Sequence, residues 1–492
     1  MIDARNEVLW FGAPPTPATK REFEQRGHTI RMGDACRPLD RIQQVSSVVA
    51  FFDDRSEAEL CRLLRSIARR FVDFGVRLEI VAPDDATLGR VQTQLQSVIA
   101  LPGTGVRTSP DAATLAEGAA RHDAGEIPRS DLKITVAGNR EPIRKLDEVL
   151  FQRAFARCSE ITLVELTGGR SGARVFAVHM TVDRSDAGIW PQPAFAKLDG
   201  KHKIDREYAN YREYAARFIP FGLRPNVDCV ITGSERSLLV GDFVDRSESL
   251  WDLARRNVAS NAITALVDET LGGWRDQAYA NDPIEGSVAQ AMCRAHLWRP
   301  ESVKPCYVDR AEEFGARIEP DELLRRLKTL TQTYREAPIH GDLHGENVRV
   351  RNGSAILIDL ASVVRGPIVA DLAALETWLA FEVPPELDSS QFEDCMWSAE
   401  IDRLYGPPAF RHPPGPPRPA TDFAWMAGVV RQIRTLGIAT QSCPTEYQSA
   451  VAVQLLHRCE WDDGPSADRF RRGYGYRVAT ALVADLVGEK HD

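Results

Sequence analysis

The chain has 492 residues, 43% hydrophobic and 27% charged, the balance of a protein that buries ordinary cores and does not stay disordered. Its 61 basic residues are outnumbered by 70 acidic ones, a formal net charge of -9, which argues against nucleic acid as an obligate partner. No stretch reaches the ~18 unbroken apolar residues of a membrane span, and MIDARNEVLWFGAPP has no charged region ahead of a long apolar one, so a cytoplasmic protein with no membrane partner is expected.

Length predicts roughly two to four domains. The nine cysteines, at 36, 61, 158, 229, 293, 306, 395, 443 and 459, are widely spaced, odd in number and free of any C-x-x-C pair. They read as reduced packing thiols, with neither a disulfide framework nor a zinc site.

In chain order, EVLWFG (7–12), HTIRM (28–32), SSVVAFF (46–52) and VRLEIVA (76–82) are predicted strands, and 18–26, 56–73 and 85–98 have helical spacing. This βαβ rhythm, with strands apolar on both faces, predicts a three-layer α/β domain on a parallel sheet, flavodoxin-like or receiver-like, over 1–130. A phosphoacceptor receiver needs an acidic pair after its first strand, an Asp after the third and a Lys after the fifth. Only the Asp is present, as Asp53 or Asp54, while Gly12, Ala13 and Pro14 follow strand one and GTGVRTSPDA has no lysine. The two aspartates are read instead as caps for the helix near Ser56, and the domain as an interaction module, open to a protein partner.

The polar, Ala-, Asp- and Gly-rich stretch 110–135 is the predicted connector, with a boundary near 130–150. Beyond it the chain reads strand-rich from 150 to 245 and mainly helical from 246 to 492, apart from strands around 346–360. The tract GPPAFRHPPGPPRP (406–419) is too proline-dense for helix or strand and is expected to be an extended loop.

Chemistry concentrates in PIHGDLHGENVRVRNGSAILIDLASVVRGPIVADLAALE (338–376). Asn352-Gly353 between two apolar-alternating runs predicts a hairpin that folds Asp359 back beside Asn347. Asp342 enters five residues earlier, so three oxygen-bearing side chains are aimed at one point, a donor set that suits magnesium and not zinc. Reading His340 and His344 as transition-metal ligands is the weaker alternative.

The pattern H-G-D-x-H-x-x-N, here His340, Gly341, Asp342, His344 and Asn347, followed by Ile358-Asp359 and by Gly366, Pro367, Asp371, Leu372 and Ala373, resembles the aminoglycoside phosphotransferase and choline kinase family. The resemblance implies a bilobal α+β protein-kinase-like fold, an N-lobe over 150–245 and a mainly helical C-lobe over 246–492. It also implies ATP and Mg as cofactors. Upstream parts occur in the family's order: a glycine-rich turn in ITLVELTGGRSGARVFAVHM with Gly168, Gly169, Ser171 and Gly172, Lys197 on the strand AFAKLDG, and Glu207 or Glu213 as its carboxylate partner, with Glu207 preferred. A hinge at 241–245 follows, where backbone groups of Asp242 and Val244 would meet adenine, and Ser249 is set to cap the next helix.

By that resemblance Asp342 is the catalytic base, Asn347 and Asp359 hold magnesium, Lys197 holds the phosphates, and His340, His344 and Asp371 support the loop. The acceptor is a hydroxyl of a small molecule or a protein. The candidate acceptor region mixes acids (Asp268, Glu269, Asp282, Glu285, Asp394, Glu400 and Asp402) with Arg255, Arg256, Arg275 and Arg403, so no substrate follows from it. The alternative is a nucleotide-binding, pseudokinase-like adaptor of a bacterial signalling or conflict system. The extra N-terminal domain favours the adaptor, and the retained Asp342 favours the enzyme.

Overall fold

The computed structural model describes residues 6–120, 126–138, 140–166, 172–183, 193–382, 395–412, 423–461 and 466–488. Contacts divide the chain into two units, Met1–Tyr208 with Asn226–Asp245, and Ala209–Pro225 with Arg246–Asp492. Among the described residues no helix is long and apolar enough to cross a membrane.

The first unit starts with five parallel strands, β1 (Glu7–Gly12), β2 (Thr29–Met32), β3 (Val45–Phe51), β4 (Arg77–Ala82) and β5 (Thr104–Thr108), in the order β2-β1-β3-β4-β5. This is the flavodoxin-like order, and strands that are apolar on both faces account for a parallel sheet covered on both sides. Leu9, Phe11, Val48, Ala50, Leu78 and Ile80 bury one face under α2 (Glu57–Asp73), α3 (Asp85–Gln94) and α4 (Gln96–Ile99). Val8, Trp10, Val49 and Val81 bury the other under α1 (Pro17–Gln25) and α5 (Ala112–Ala120). The expected single helix over 85–98 breaks at Leu95, which is buried and outside helical geometry.

Asp53 takes the cap role: its Oδ1 accepts from Arg55 N–H (3.1 Å), Ser56 N–H (2.7 Å) and the Ser56 hydroxyl (2.5 Å). The Ser56 hydroxyl, helped by the backbone donors and against burial, which raises it, holds its carboxyl below the usual range. Asp54 does not share the role; it is exposed and faces Arg90 at 3.4 Å.

The predicted connector is corrected. Residues 112–120 form α5, because Leu115, Ala116 and Ala119 supply an apolar stripe that covers the sheet. A further strand, β6 (Lys133–Val136), pairs in parallel with β7 (Cys158–Glu165), so the second sheet begins ahead of 150. That sheet continues through β8 (Arg174–Val182), β9 (Ala194–Gly200), β10 (Val227–Thr232) and β11 (Arg236–Asp242) in the order β10-β11-β9-β8-β7-β6. Helix α6 (Lys145–Ala154) supplies Leu150 and Phe151 to its core.

Arg153 of α6 joins the two sheets of this unit. It is 3% exposed, and its guanidinium donates to the carbonyls of Val72 (3.2 Å) and Asp73 (3.0 Å) at the end of α2, and to Thr232 (3.1 Å) at the end of β10. The end of a helix leaves carbonyls without intrahelical donors, and a cation there also meets the helix dipole. Burial pulls the Arg153 pKa down to about 10, so the group stays charged near neutrality. Asp73 completes the joint by accepting Ser234 N–H at 2.8 Å in the β10–β11 turn.

The second unit is mainly helical, with short strand pairs that carry the loops. β12 (Glu248–Ser249), β16 (Val348–Arg351) and β17 (Ser354–Leu357) form one sheet. β13 (Ile284–Gly286) pairs with β14 (Gln332–Tyr334), and β15 (Glu336–Ile339) with β18 (Val364–Pro367). The last two pairs escape a periodicity reading because each strand is three or four residues long. Ser249 caps the helix Leu250–Arg255 by accepting Asp252 N–H at 3.1 Å. Pro408–Arg411 is a helical turn with proline at its first positions, where a missing N–H costs nothing, so the proline tract is no loop there; residues 413–419 lie outside the described residues.

Helices Ala370–Phe381, Ala424–Thr440 and Glu446–His457 meet around a buried pair, Glu376 and Arg434, with Tyr447 Oη donating to Glu376 at 2.8 Å. Glu446, next to Tyr447 in the chain, is fully buried; one oxygen accepts Ser442 N–H and the other has no partner among the described residues.

Two outcomes are expected. Arg153→Met removes the guanidinium donor from the carbonyls of Val72, Asp73 and Thr232, of which Val72 O keeps the Gly75 N–H, and should cost about 1–3 kcal/mol in chemical denaturation, with faster amide exchange in the β10–β11 turn. Burial raises the Glu446 pKa to about 7, so the folded state holds a proton that the unfolded chain releases. Stability should therefore fall as pH rises from the unfolded value toward about 7, by about 3 kcal/mol, and Glu446→Gln should flatten that slope in denaturation curves.

Candidate active site

In the first unit, Lys197 sits on β9, an interior strand flanked by β8 and β11, and is 6% exposed. A lysine on a solvated edge is thereby ruled out. Its Nζ lies 2.9 Å from Glu207 Oε2 on α7 (Lys201–Asn210), and Glu207 is 7% exposed. Removing either partner of such a buried pair strands the other's charge. Glu207, not Glu213, is thus the partner; Glu213 is exposed in the π-helical turn Tyr211–Ala215.

Gly168, Gly169 and Ser171 lie outside the described residues, and Gly172 is exposed with open space around it. The Asp242 N–H donates to Asn226 O at 2.8 Å, so a hinge contact from that residue would have to use its carbonyl. Gly241 must be glycine because a Cβ would run into the Asn226 carbonyl. Val244 is half-buried three residues further on.

In the second unit β15 delivers the loop that starts at His340. Asp371, at the start of the helix Ala370–Phe381, is 4% exposed, and its two oxygens accept His340 N–H (2.7 Å) and Gly341 N–H (3.1 Å). Burial raises its pKa, while the His340 ring and the two N–H groups pull it back. His340 is fully buried, its Nδ1 accepting Asp342 N–H at 3.3 Å and its Nε2 2.9 Å from Ile358 O. Since Nδ1 accepts, Nε2 carries the hydrogen and donates. Both ring nitrogens are spent, which excludes His340 as a metal ligand.

The hairpin forms as its Asn-Gly turn demands: β16 and β17 pair antiparallel, with Asn352 at φ 52° and Gly353 at φ 83°, both positive as a type I′ turn requires. Ile358 N–H donates to Asn347 O (3.0 Å), and Asn347 Nδ2 donates to Asp342 O (2.9 Å). These bonds, with His340 to Ile358, tie the backbones beside Asp342, Asn347 and Asp359 to one another. Asp342 and Asp359 are exposed, so their carboxylates reach solvent, while Asn347 is 6% exposed.

His344 stacks on Trp378, ring centroids 5.2 Å apart, and its Nδ1 accepts Glu346 N–H at 3.3 Å. Its Nε2 stands 4.0 Å from Asp342 Oδ2. Burial lowers its pKa, partly offset by the Asp342 charge, so the ring is neutral near neutrality and turns its N–H edge to Asp342. Gly345 is required because a Cβ would strike Trp378. Trp378 in turn meets Trp251 at 5.0 Å. These tryptophans went unread in the sequence, where an isolated aromatic at helical spacing looks like ordinary core.

The donor set fits magnesium. With its Nδ2 spent on Asp342 O, Asn347 offers an amide oxygen, and Asp359 adds a carboxylate; hard cations of this kind take few protein oxygens and complete their shell with water and phosphate. Among the described residues no group of three or more His, Cys, Asp or Glu is arranged as a metal cage.

Residues 266–395 match the family model described as "Phosphotransferase enzyme family". The match is to this segment and not to the chain as a whole. Asp342, Asn347, Asp359 and Asp371 all fall inside the segment. Comparison with curated proteins found no match to the chain. Solved structures similar to it include a glucosamine kinase (16% identity, 70% of this chain and 85% of that one, TM-score 0.37), an aminoglycoside phosphotransferase APH(3'')-Id from Streptomyces rimosus (16%, 59% and 99%, 0.30) and a choline kinase from Cryptosporidium parvum (12%, 67% and 91%, 0.31). At these scores the likeness adds nothing to the family match.

Of the charged residues singled out around the candidate acceptor region, Asp268 faces Arg275 at 3.4 Å and Glu400 faces Arg403 at 2.5 Å, while Arg256 faces Glu248 at 2.6 Å. Asp394 lies outside the described residues.

Asp371→Asn should test the loop of the family-matched segment. An amide nitrogen facing a backbone N–H leaves that donor buried without an acceptor, at a cost of about 1–3 kcal/mol. The expected readout is a lower melting temperature, with faster amide exchange at His340 and Gly341.

Proposed function

We propose that the protein is an ATP- and magnesium-dependent phosphotransferase that moves the γ-phosphoryl group to a hydroxyl of a small molecule or a protein. The observation that carries this reading is the loop of the family-matched segment, in which Asp342, Asn347 and Asp359 are tied together at their backbones while both carboxylates face solvent. Phosphoryl transfer asks the protein for positioning and charge neutralisation more than for covalent chemistry.

In this reading Asp342 accepts the proton of the incoming hydroxyl and orients it. The His344 ring stands beside the Asp342 carboxylate, its Nε2 4.0 Å away. Asn347 and Asp359 offer oxygens to magnesium, which when bound offsets charge on the phosphates. Lys197, fixed by Glu207, holds the α- and β-phosphates, and the turn at 168–172 offers backbone N–H groups to them. The backbone of Asp242 and Val244 meets the adenine.

The division of labour is testable with two variants whose melting curves match the wild type. Asp342→Asn should keep magnesium-dependent ATP binding in calorimetry and lose about 10²- to 10⁴-fold in ADP release. Asp359→Ala should weaken that binding about tenfold or more. Equal loss of nucleotide binding in both contradicts the assignment. Tight ATP binding with no ADP release from the wild type, across an acceptor screen, would favour the adaptor.

A further inference from the structure

Asn210 ends α7, and its side-chain nitrogen faces three carbonyls: Leu360 at 3.1 Å, Ala361 at 3.2 Å and Val363 at 3.3 Å. All three acceptors are carbonyls, so the amide can only present its NH₂ to them. They belong to the 3₁₀ turn Leu360–Ser362 and the residue after it, the segment that leaves Asp359. Leu360 O also accepts the Val363 N–H at 3.3 Å within the turn, and Asn210 supplies two further hydrogens shared among the three oxygens.

Asp359 needs such support. Its backbone is left-handed, φ 57° and ψ 72°, a region that costs a non-glycine residue of order 1 kcal/mol and persists only where neighbours hold it. On the side of the catalytic loop, Gly341 at φ 76° presses so closely on the Ser362 carbonyl that a Cβ would collide with it. The segment after Asp359 is thus held by Gly341 through contact and by Asn210 through hydrogen bonds. Asn210 is itself fixed, because the π-helical turn Tyr211–Ala215 that follows is anchored by Trp274 Nε1 donating to Tyr214 O at 3.0 Å and by Arg224 stacked on Tyr211 at 5.2 Å.

We propose that Asn210 is a positioning residue for Asp359: its amide sets the backbone from which that carboxylate is aimed, and so tunes the affinity for the divalent cation. The inference rests on the reading of Asp359 as a magnesium ligand. It assigns a role to a residue outside the motif that identified the site.

The experiment titrates Mg²⁺ against the full-length protein at fixed ATP, following nucleotide binding by calorimetry, with a metal-free ATP titration alongside. For Asn210→Ala the expected result is a rise of about tenfold in the apparent magnesium constant, the scale of losing a group that orients a metal ligand. Metal-free ATP affinity should stay within about twofold of wild type, and amide exchange should quicken in 360–363. An unchanged magnesium constant in the folded variant overturns the proposal, as does a metal-free affinity that falls in step. Should Asn210→Ala fail to fold, Asn210→Gln, which keeps the amide on a longer arm, carries the same comparison. If Asp359→Ala leaves magnesium dependence intact, the reading of Asp359 fails before that of Asn210 is reached.

Discussion

One buried carboxylate holds the candidate site together. Asp371 gives up water to accept the N–H groups of His340 and Gly341, and a carboxyl so placed is expensive unless its oxygens are satisfied. Fixing those two consecutive residues fixes His340, whose ring then donates to Ile358 and receives Asp342 N–H. From there Asn347 closes the circuit by binding Ile358 N–H and Asp342 O. Loss of Asp371 therefore reaches each of the three oxygen-bearing residues through the backbone.

A second joint gives the N-terminal sheet its place. Arg153 binds the end of α2 and the end of β10 at once, and Asp73 answers by capturing Ser234 N–H. The five-stranded sheet and the sheet that carries Lys197 thus fall in one unit. In this arrangement Asp53 is spent as a cap and α2 is spent on docking.

Much of this was legible in the sequence because local chemistry and tertiary role agree. Apolar runs on both faces announced β1, β3 and β4, and Asn352-Gly353 announced the hairpin. The spacing from His340 to Asp371 announced the loop and its family. What escaped had no such agreement. Helix α5 hides in an Ala-rich stretch whose polarity resembles a linker until the sheet covers Leu115 and Ala119. β6 is four residues long and half-exposed. Glu207 and Glu213 were both admissible on one amphipathic helix, and the π-helical turn after Asn210, which no propensity foretells, ends the regular spacing between them. Asn210 could not be read at all, since its partners lie 150 residues away or more.

The most direct measurement is a calorimetric titration of ATP into the purified wild-type protein with and without magnesium. Binding that strengthens markedly when magnesium is present would bear out a site built from Asn347 and Asp359 for a metal-bound triphosphate. No binding at about millimolar ATP, a free energy near -4 kcal/mol, would contradict it.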